Sequence, residues 1–278
     1  MSVERKVKAA VEQEAHRMRD LTTHAVQSRA WLYPLKGILY FLSHRALQKP
    51  LGAKIVPALT MGVGIFTSMF FFTYLPQAAV LALFNGPVAA LTTALLVLSE
   101  SSTMFMVAAK AFLIEDSLVD TFDGTLVAEG QTELLSSQRQ VKSGRDPIAR
   151  LGKLAARPFQ RFAPQAIVRY FMLLPLNFIP IVGTVMFIIL QGKNSGPNAH
   201  ARYFQLKGMK GQQREDFIEA RKGPYTSFGV VATLLEMVPV VGVLFAFTNA
   251  TGAALWASDL EKQSSTAPGL REQASKAQ

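Results

Sequence analysis

The sequence contains no cysteine, which excludes disulfides, thiol catalysis and thiolate metal sites. Its four histidines, His16, His24, His44 and His200, are scattered without metal-ligand or triad spacing, and no glycine-rich phosphate loop follows a strand-like run. These absences argue against an enzyme and against a bound cofactor or metal. Charge is scarce too: 17% of residues are charged against 50% hydrophobic, and the scarcity is uneven. Lys54 to Glu100 encloses 45 consecutive residues without a charge, about twice the ~20 that one helix needs to cross a bilayer. A soluble core helix of that length would need burial on every side, which a chain of 278 residues can hardly arrange. The opening MSVERKVKAAVEQEAHRMRD lacks the apolar core of a secretory signal, so insertion is expected to rely on internal segments.

What charge there is leans positive, with a formal net charge of +10 and a pI near 9.9. The basic residues flank apolar runs and carry no stacking platform or binding fingerprint, so nucleic acid is not the expected partner. Membrane lipids, including anionic headgroups, are.

Taken in order, residues 1–30 spell a weakly amphipathic peripheral helix with Val3, Val7, Val11, Met18 and Leu21 near one face. Trp31 to Lys49 interleaves aromatic and basic residues, which suits the headgroup level of a membrane or a first helix packed on the protein itself. Spans are expected over 55–75, with Gly62 and Gly64 as close-packing points, and over 87–112, separated by the breakers Leu75-Pro76-Gln77 and Asn85-Gly86-Pro87. Glu100 falls in the middle of the second span. A carboxylate there must face protein or water, or be protonated, so it either lines a polar path or locks helices through hydrogen bonds. Residues 113–165 read as helix, connector and a basic interfacial helix over 148–162, and 192–224 as a polar insert holding a turn and a short amphipathic helix. The Ser-, Ala-, Gln- and Lys-rich tail 263–278 is expected to be disordered.

One device occurs twice. Asn177 to Ile188 (NFIPIVGTVMFI) and Glu236 to Phe247 (EMVPVVGVLFAF) are offset by 59 residues, with apolar-apolar-Pro-apolar-Val-Gly intact in both. Proline removes a backbone donor, and glycine three residues on permits a tight bend or close helix approach. Pro180 with Gly183, and Pro239 with Gly242, therefore mark either the tips of broken, re-entrant helices or ordinary proline kinks. Charge separates these. Residues 1–54 carry ten Lys or Arg against four acids and residues 191–227 seven against three, so every sizeable polar segment, including both termini, reads as cytosolic. The fold expected is an all-α integral membrane protein with two full transmembrane helices and two half-penetrating hairpins, at 164–191 and 228–257, within a membrane domain over 31–262.

Phe228-Gly229, Leu235-Glu236, Pro239, Gly242, Phe247-Thr248-Asn249, Gly252 to Ala257 and Asp259, with Ala201-Arg202-Tyr203-Phe204 before them, resemble the CysZ-like membrane proteins. That family includes bacterial sulphate permeases, animal etoposide-induced proteins of the endoplasmic reticulum, and fungal outer-spore-wall proteins found at lipid droplets; the fungal branch is the most similar. The resemblance covers roughly residues 30–262, and it implies the same two long helices and two half-penetrating hairpins. In the bacterial permeases it implies an arginine pair in a turn before the first long helix. The matching place here reads Pro50-Leu51-Gly52-Ala53-Lys54, and a lone Lys54 is a less directional oxyanion ligand than a guanidinium pair.

Two functions follow as expectations. The first is a non-enzymatic hairpin protein of endoplasmic reticulum and lipid droplets, structural or recruiting in lipid or spore-wall assembly. The alternative is a homo-oligomeric sulphate or anion conduit, with Lys54, Glu100, Arg169 and Glu236 as its anion or polar-path residues and helix ends at the two Pro-x-x-Gly tips favouring anions.

Overall fold

A computed structural model describes residues 28–136, 138–152, 182–238 and 241–276. The expected helix over 1–30, apart from its last three residues, lies outside the described residues, as do Arg169, Pro180 and Pro239. Among the described residues there is no strand, only an isolated bridge between Val141 and Leu151.

Helix α1 (Leu32–Ser43) stops at His44, whose backbone leaves the helical region at φ −113°, ψ 86°. The last carbonyls of a helix lack intrahelical partners. Here they are met by side chains: the His44 Nδ1–H is bonded to the Tyr40 carbonyl at 2.8 Å, and the Gln48 amide donates to the carbonyls of Phe41 and Leu42. Helix α2 (Arg45–Asn85) then runs 41 residues through Pro50, Pro57 and Pro76, or about 60 Å at 1.5 Å per residue. The break expected at Leu75-Pro76-Gln77 does not occur. The turn waits for Gly86, whose φ of +54° is a left-handed conformation that glycine takes without cost. Pro87 restarts the chain in a single 3₁₀ turn, and α3 (Ala89–Ala108) returns antiparallel to α2. A Cβ on Gly62 would lie 3.5 Å, in ordinary contact, from the Phe105 ring, whereas one on Gly64 would meet nothing; the expected close packing at Gly64 is absent.

The return helix widens into a π segment, Ala109–Ile114, and continues as α4 (Glu115–Ala128). A short α5 (Thr132–Ser136) follows, and residues 138–152 are irregular. Residues 147–150 form a turn, so the basic helix expected from residue 148 does not begin there. Asp146 explains this locally, since its Oδ1 accepts from the amides of Ile148 and Ala149 and holds the turn.

Beyond the repeat's first proline, α6 (Val182–Ala199) is helical through Gly192-Lys193-Asn194-Ser195-Gly196, the stretch expected as a turn. Helices α7 (Ala201–Leu206), α8 (Gln212–Glu219) and α9 (Lys222–Glu236) lead to the second copy. There α9 ends at Glu236 and α10 (Gly242–Lys276) runs back antiparallel, with Asn249 beside Ala232 and Trp256 beside Phe228. The two helices are thus an antiparallel pair, with residues 239–240 between them outside the described residues. The helical backbone of α10 reaches Lys276, through the tail expected to be disordered; its Ala, Gln, Lys and Arg residues are good helix formers.

Two backbone-to-backbone crossings organise these helices. A Cβ on Gly229 of α9 would lie 1.9 Å from the Gly192 carbonyl, and one on Gly196 would lie 2.0 Å from the Tyr225 carbonyl. Where α1 crosses α10, a Cβ on Gly37 would lie 2.1 Å from the Thr248 carbonyl and one on Gly252 2.3 Å from that of Tyr33. Around these crossings sit two cores. One gathers Phe122, Leu126, Tyr203, Phe204, Tyr225, Phe228 and Trp256; the other joins Phe41, Leu47, Ala58, Phe105, Ile114 and Phe247.

Gly229→Ala is expected to lower stability by about 1–3 kcal/mol, because the helices must separate to admit the methyl group. Gly64→Ala, in open space, should leave the melting temperature unchanged. Thermal unfolding of the two variants in detergent checks this contrast.

Candidate functional site

Helix α2 between Lys54 and Gly86 contains no charge at all, and its outer face shows the reason for the long apolar run. Phe71, Leu83 and Phe84 are 75%, 80% and 80% exposed, and Leu91 and Leu95 of α3 are likewise exposed. The helical stretch is long and apolar enough to cross a membrane, and its most apolar part is mostly exposed. From Gly62 to Asn85 the pair extends about 35 Å, close to the ~30 Å hydrocarbon thickness. The polar exception is internal. Glu100 accepts a hydrogen bond from Gln77 Nε2 at 2.8 Å across the two helices, while Thr93, Ser101 and Ser102 bond back to their own helix.

A second polar point lies at the tip of the second repeat. Glu236 ends α9, where the helix dipole disfavours a carboxylate. Lys110, at the start of the π segment of α3, forms an ion pair with its Oε2, and Asn249 of α10 donates to its Oε1 at 3.1 Å. A π turn inserts an extra residue into a helix and is frequent at functional positions; here it begins beside the lysine that reaches the broken repeat. Gly242 closes the tip, since a Cβ there would sit 2.4 Å from the Glu236 carbonyl and 3.1 Å from Met106 Sδ. Three elements, α3, α9 and α10, are thereby tied at one level.

The third constellation is buried. Asp123 on α4 receives a bidentate pair from Arg202 of α7, both bonds 2.8 Å, and a further bond of 3.0 Å from Arg139. Arg139 also reaches Asp120 at 2.7 Å and the Gly152 carbonyl at 2.7 Å, and Arg202 reaches Gln205. Asp123 and Arg202 are fully enclosed. Buried charges persist only when paired and hydrogen-bonded throughout, and removing one partner is strongly destabilising. Beside this cluster, His200 is sealed among Tyr203, Tyr225 and Trp256. Its Nε2 lies 2.9 Å from the Ala253 carbonyl, which only accepts, so Nε2 carries the proton and Nδ1 accepts from the Tyr225 hydroxyl at 2.9 Å. Burial pushes its pKa from 6.5 down to about 4, against the opposing pull of the Ala253 bond.

No hydrogen bond or ion pair joins Lys54, Glu100 and Glu236, three of the residues expected to form a polar path, to one another. Lys54 lies near the start of α2, half-buried; Glu100 faces Gln77 farther along the pair; Glu236 is engaged with Lys110; Arg169 and the prolines of both tips fall outside the described residues. Gly183 stands in the first turn of α6, as Gly242 opens α10. Sequence reasoning missed Gln77, Lys110, Arg139 and the role of His200. For Lys110 the only signal was a lone cation at the end of an apolar run, and pairing to Glu236 over 126 residues is a tertiary fact.

Arg202→Lys keeps the charge but loses the bidentate geometry, and Asp123→Asn leaves the buried Arg202 guanidinium without a counter-charge, Arg139 keeping Asp120. Each should cost about 3–5 kcal/mol, visible as collapse of folded yield and of the unfolding midpoint. For His200 the direction is set by linkage. The unfolded chain takes up the proton near pH 6.5 and the folded one only near 4, so stability is full above 6.5 and falls by about 3 kcal/mol as pH drops to 4. Unfolding measured across that window should show the slope in the wild type and a flatter one in His200→Gln.

With this architecture in place, comparison with known proteins is informative. Two outer spore wall proteins of Saccharomyces cerevisiae are similar to the chain. RRT8 is 29% identical over 156 residues, 51% of this chain and 46% of the relative; LDS1 is 22% identical over 237 residues, 83% of this chain and 70% of the relative. The alignment thus spans less than half the length of the first. The family described as sulfate transporter CysZ/etoposide-induced protein 2.4 matches residues 23–246, which include both long apolar helices and the ion pair at Lys110 and Glu236. The chain belongs to this EI24 family.

Proposed function

We propose that the protein is a non-enzymatic, multi-pass membrane protein with a structural or recruiting role in spore-wall or lipid assembly, resident in endoplasmic reticulum and lipid droplets. The observation that carries this reading is the antiparallel pair α2 and α3, which presents large apolar side chains outward along both helices while its one carboxylate is turned to Gln77. Such a surface is stable in lipid and not in water. The antiparallel pairing of α9 with α10 supports a second element that enters and returns on one face, with cytosolic termini. The relatives' name, outer spore wall protein, supports the assembly role.

The alternative, an oligomeric sulphate or anion conduit, is less favoured by the same geometry. Glu100 and Glu236 are both engaged, one with an amide and one with a lysine, and an ionised carboxylate repels an anion. Lys54 remains the cation nearest the start of the apolar run.

A fluorescent fusion of the full chain, expressed in Saccharomyces cerevisiae lacking RRT8 and LDS1, is expected to label reticulum and droplets and to restore the outer spore wall. Purified protein in liposomes is expected to show no saturable uptake of labelled sulphate. Uptake that falls in Lys54→Ala and Arg169→Ala, together with failure of spore-wall rescue, would reverse the order of the two readings.

A further inference from the structure

At the foot of the apolar pair, the end of α1, the start of α2, the end of α4 and the loop before Leu151 enclose a cleft of about 630 Å³. His44, Arg45, Arg145 and Arg150 line it, brought together from positions about a hundred residues apart. The carboxylates around it are already used. Asp146 is paired with Lys49 and accepts the amides of its own turn. Glu129, near His44, is held by Lys262. Among the described residues no carboxylate pairs with Arg45, Arg145 or Arg150. Arg150 is steadied by its Nε bond to the Lys142 carbonyl at 2.9 Å, which engages neither terminal nitrogen. Three guanidinium groups facing one cleft without a counter-charge repel one another, and an anion with several oxygens is the ligand that relieves this.

Helix α1, whose end leads into the cleft, carries an exposed apolar stripe. Helix α1 buries Pro34, Gly37 and Phe41 against the protein, but Leu35, Leu39 and Leu42 on its opposite side are 39%, 72% and 57% exposed. Their spacing of four and three puts them in one stripe, and the stripe ends two residues before His44. A soluble oxyanion has no use for the leucines, and a neutral lipid has none for the arginines. A phosphate joined to an acyl chain uses both.

The geometry points to a binding site for an anionic phospholipid, with its phosphate held by Arg45, Arg145 and Arg150 and its acyl portion laid along Leu39 and Leu42. The inference deepens the membrane reading and rests on it. A lipid so held would fix α1 at the headgroup level and anchor the base of the apolar pair.

The test uses full-length protein purified in detergent and titrated with dioctanoyl phosphatidic acid, with dioctanoyl phosphatidylcholine and with inorganic phosphate, following the unfolding midpoint. Phosphatidic acid is expected to raise the midpoint saturably, the other two far less. The combined variant R45A/R145A/R150A should weaken phosphatidic acid by about tenfold or more, and L39S/L42S should weaken it while leaving any response to inorganic phosphate unchanged. Should the triple variant fold poorly, R145A alone, on an exposed loop, gives the same direction with a smaller effect. Equal binding of inorganic phosphate and phosphatidic acid, or no loss in the arginine variants, overturns the site. Lipid binding that persists in a protein unable to restore the spore wall sinks the functional reading alone, and the converse result sinks the site alone.

Discussion

Everything in the folded body depends on helices approaching closely enough for backbone to touch backbone. At Gly37 and Gly252, and again at Gly192, Gly196 and Gly229, no room is left for a single methyl group. In lipid there is little hydrophobic gain from burying one apolar side chain against another, so close van der Waals packing at small residues has to supply the attraction. Once α1 and α9 are drawn against α10, the stacked rings of Tyr33, Phe228 and Trp256 come into contact. The Tyr33 hydroxyl then reaches Asp259 at 2.8 Å.

The same proximity makes the buried charges tolerable. Asp123 would be prohibitively costly alone, but α4 lies against α10 and α7 follows α6, so Arg202 and Arg139 arrive from two directions and satisfy it completely. His200 is kept neutral by the same enclosure. Both groups act as registers that hold helices in one arrangement, and neither is placed to touch a ligand. The chemistry that faces outward is simpler: apolar side chains along α2 and α3, and cations at their foot.

The residues that carry the family likeness are largely these packing residues. Gly229 and Gly252 make the crossings, Phe228 and Trp256 stack, Asn249 ties α9 to α10, and Arg202 pairs with Asp123. Likeness in the scaffold carries the fold, and a shared fold does not by itself fix the task.

The all-α class, the two long apolar stretches and the interruption between Glu236 and Gly242 were legible in the sequence, because an unbroken apolar run and a repeated Pro-x-x-Gly are local properties of the chain. Gly86 as the reversal point was legible for the same reason, although Pro76 was a false break: a proline inside a long helix costs one hydrogen bond, which the rest of the helix outweighs. What the sequence could not reveal was which residues meet. Gly192 and Gly196 read as a turn until Gly229 faces them, Lys110 as a helix-end cation until Glu236 reaches it, and Arg45, Arg145 and Arg150 as unrelated charges until the loop folds back on α2. Local conformation follows from the chain's own covalent preferences, whereas pairing over tens or hundreds of residues exists only once the helices have packed.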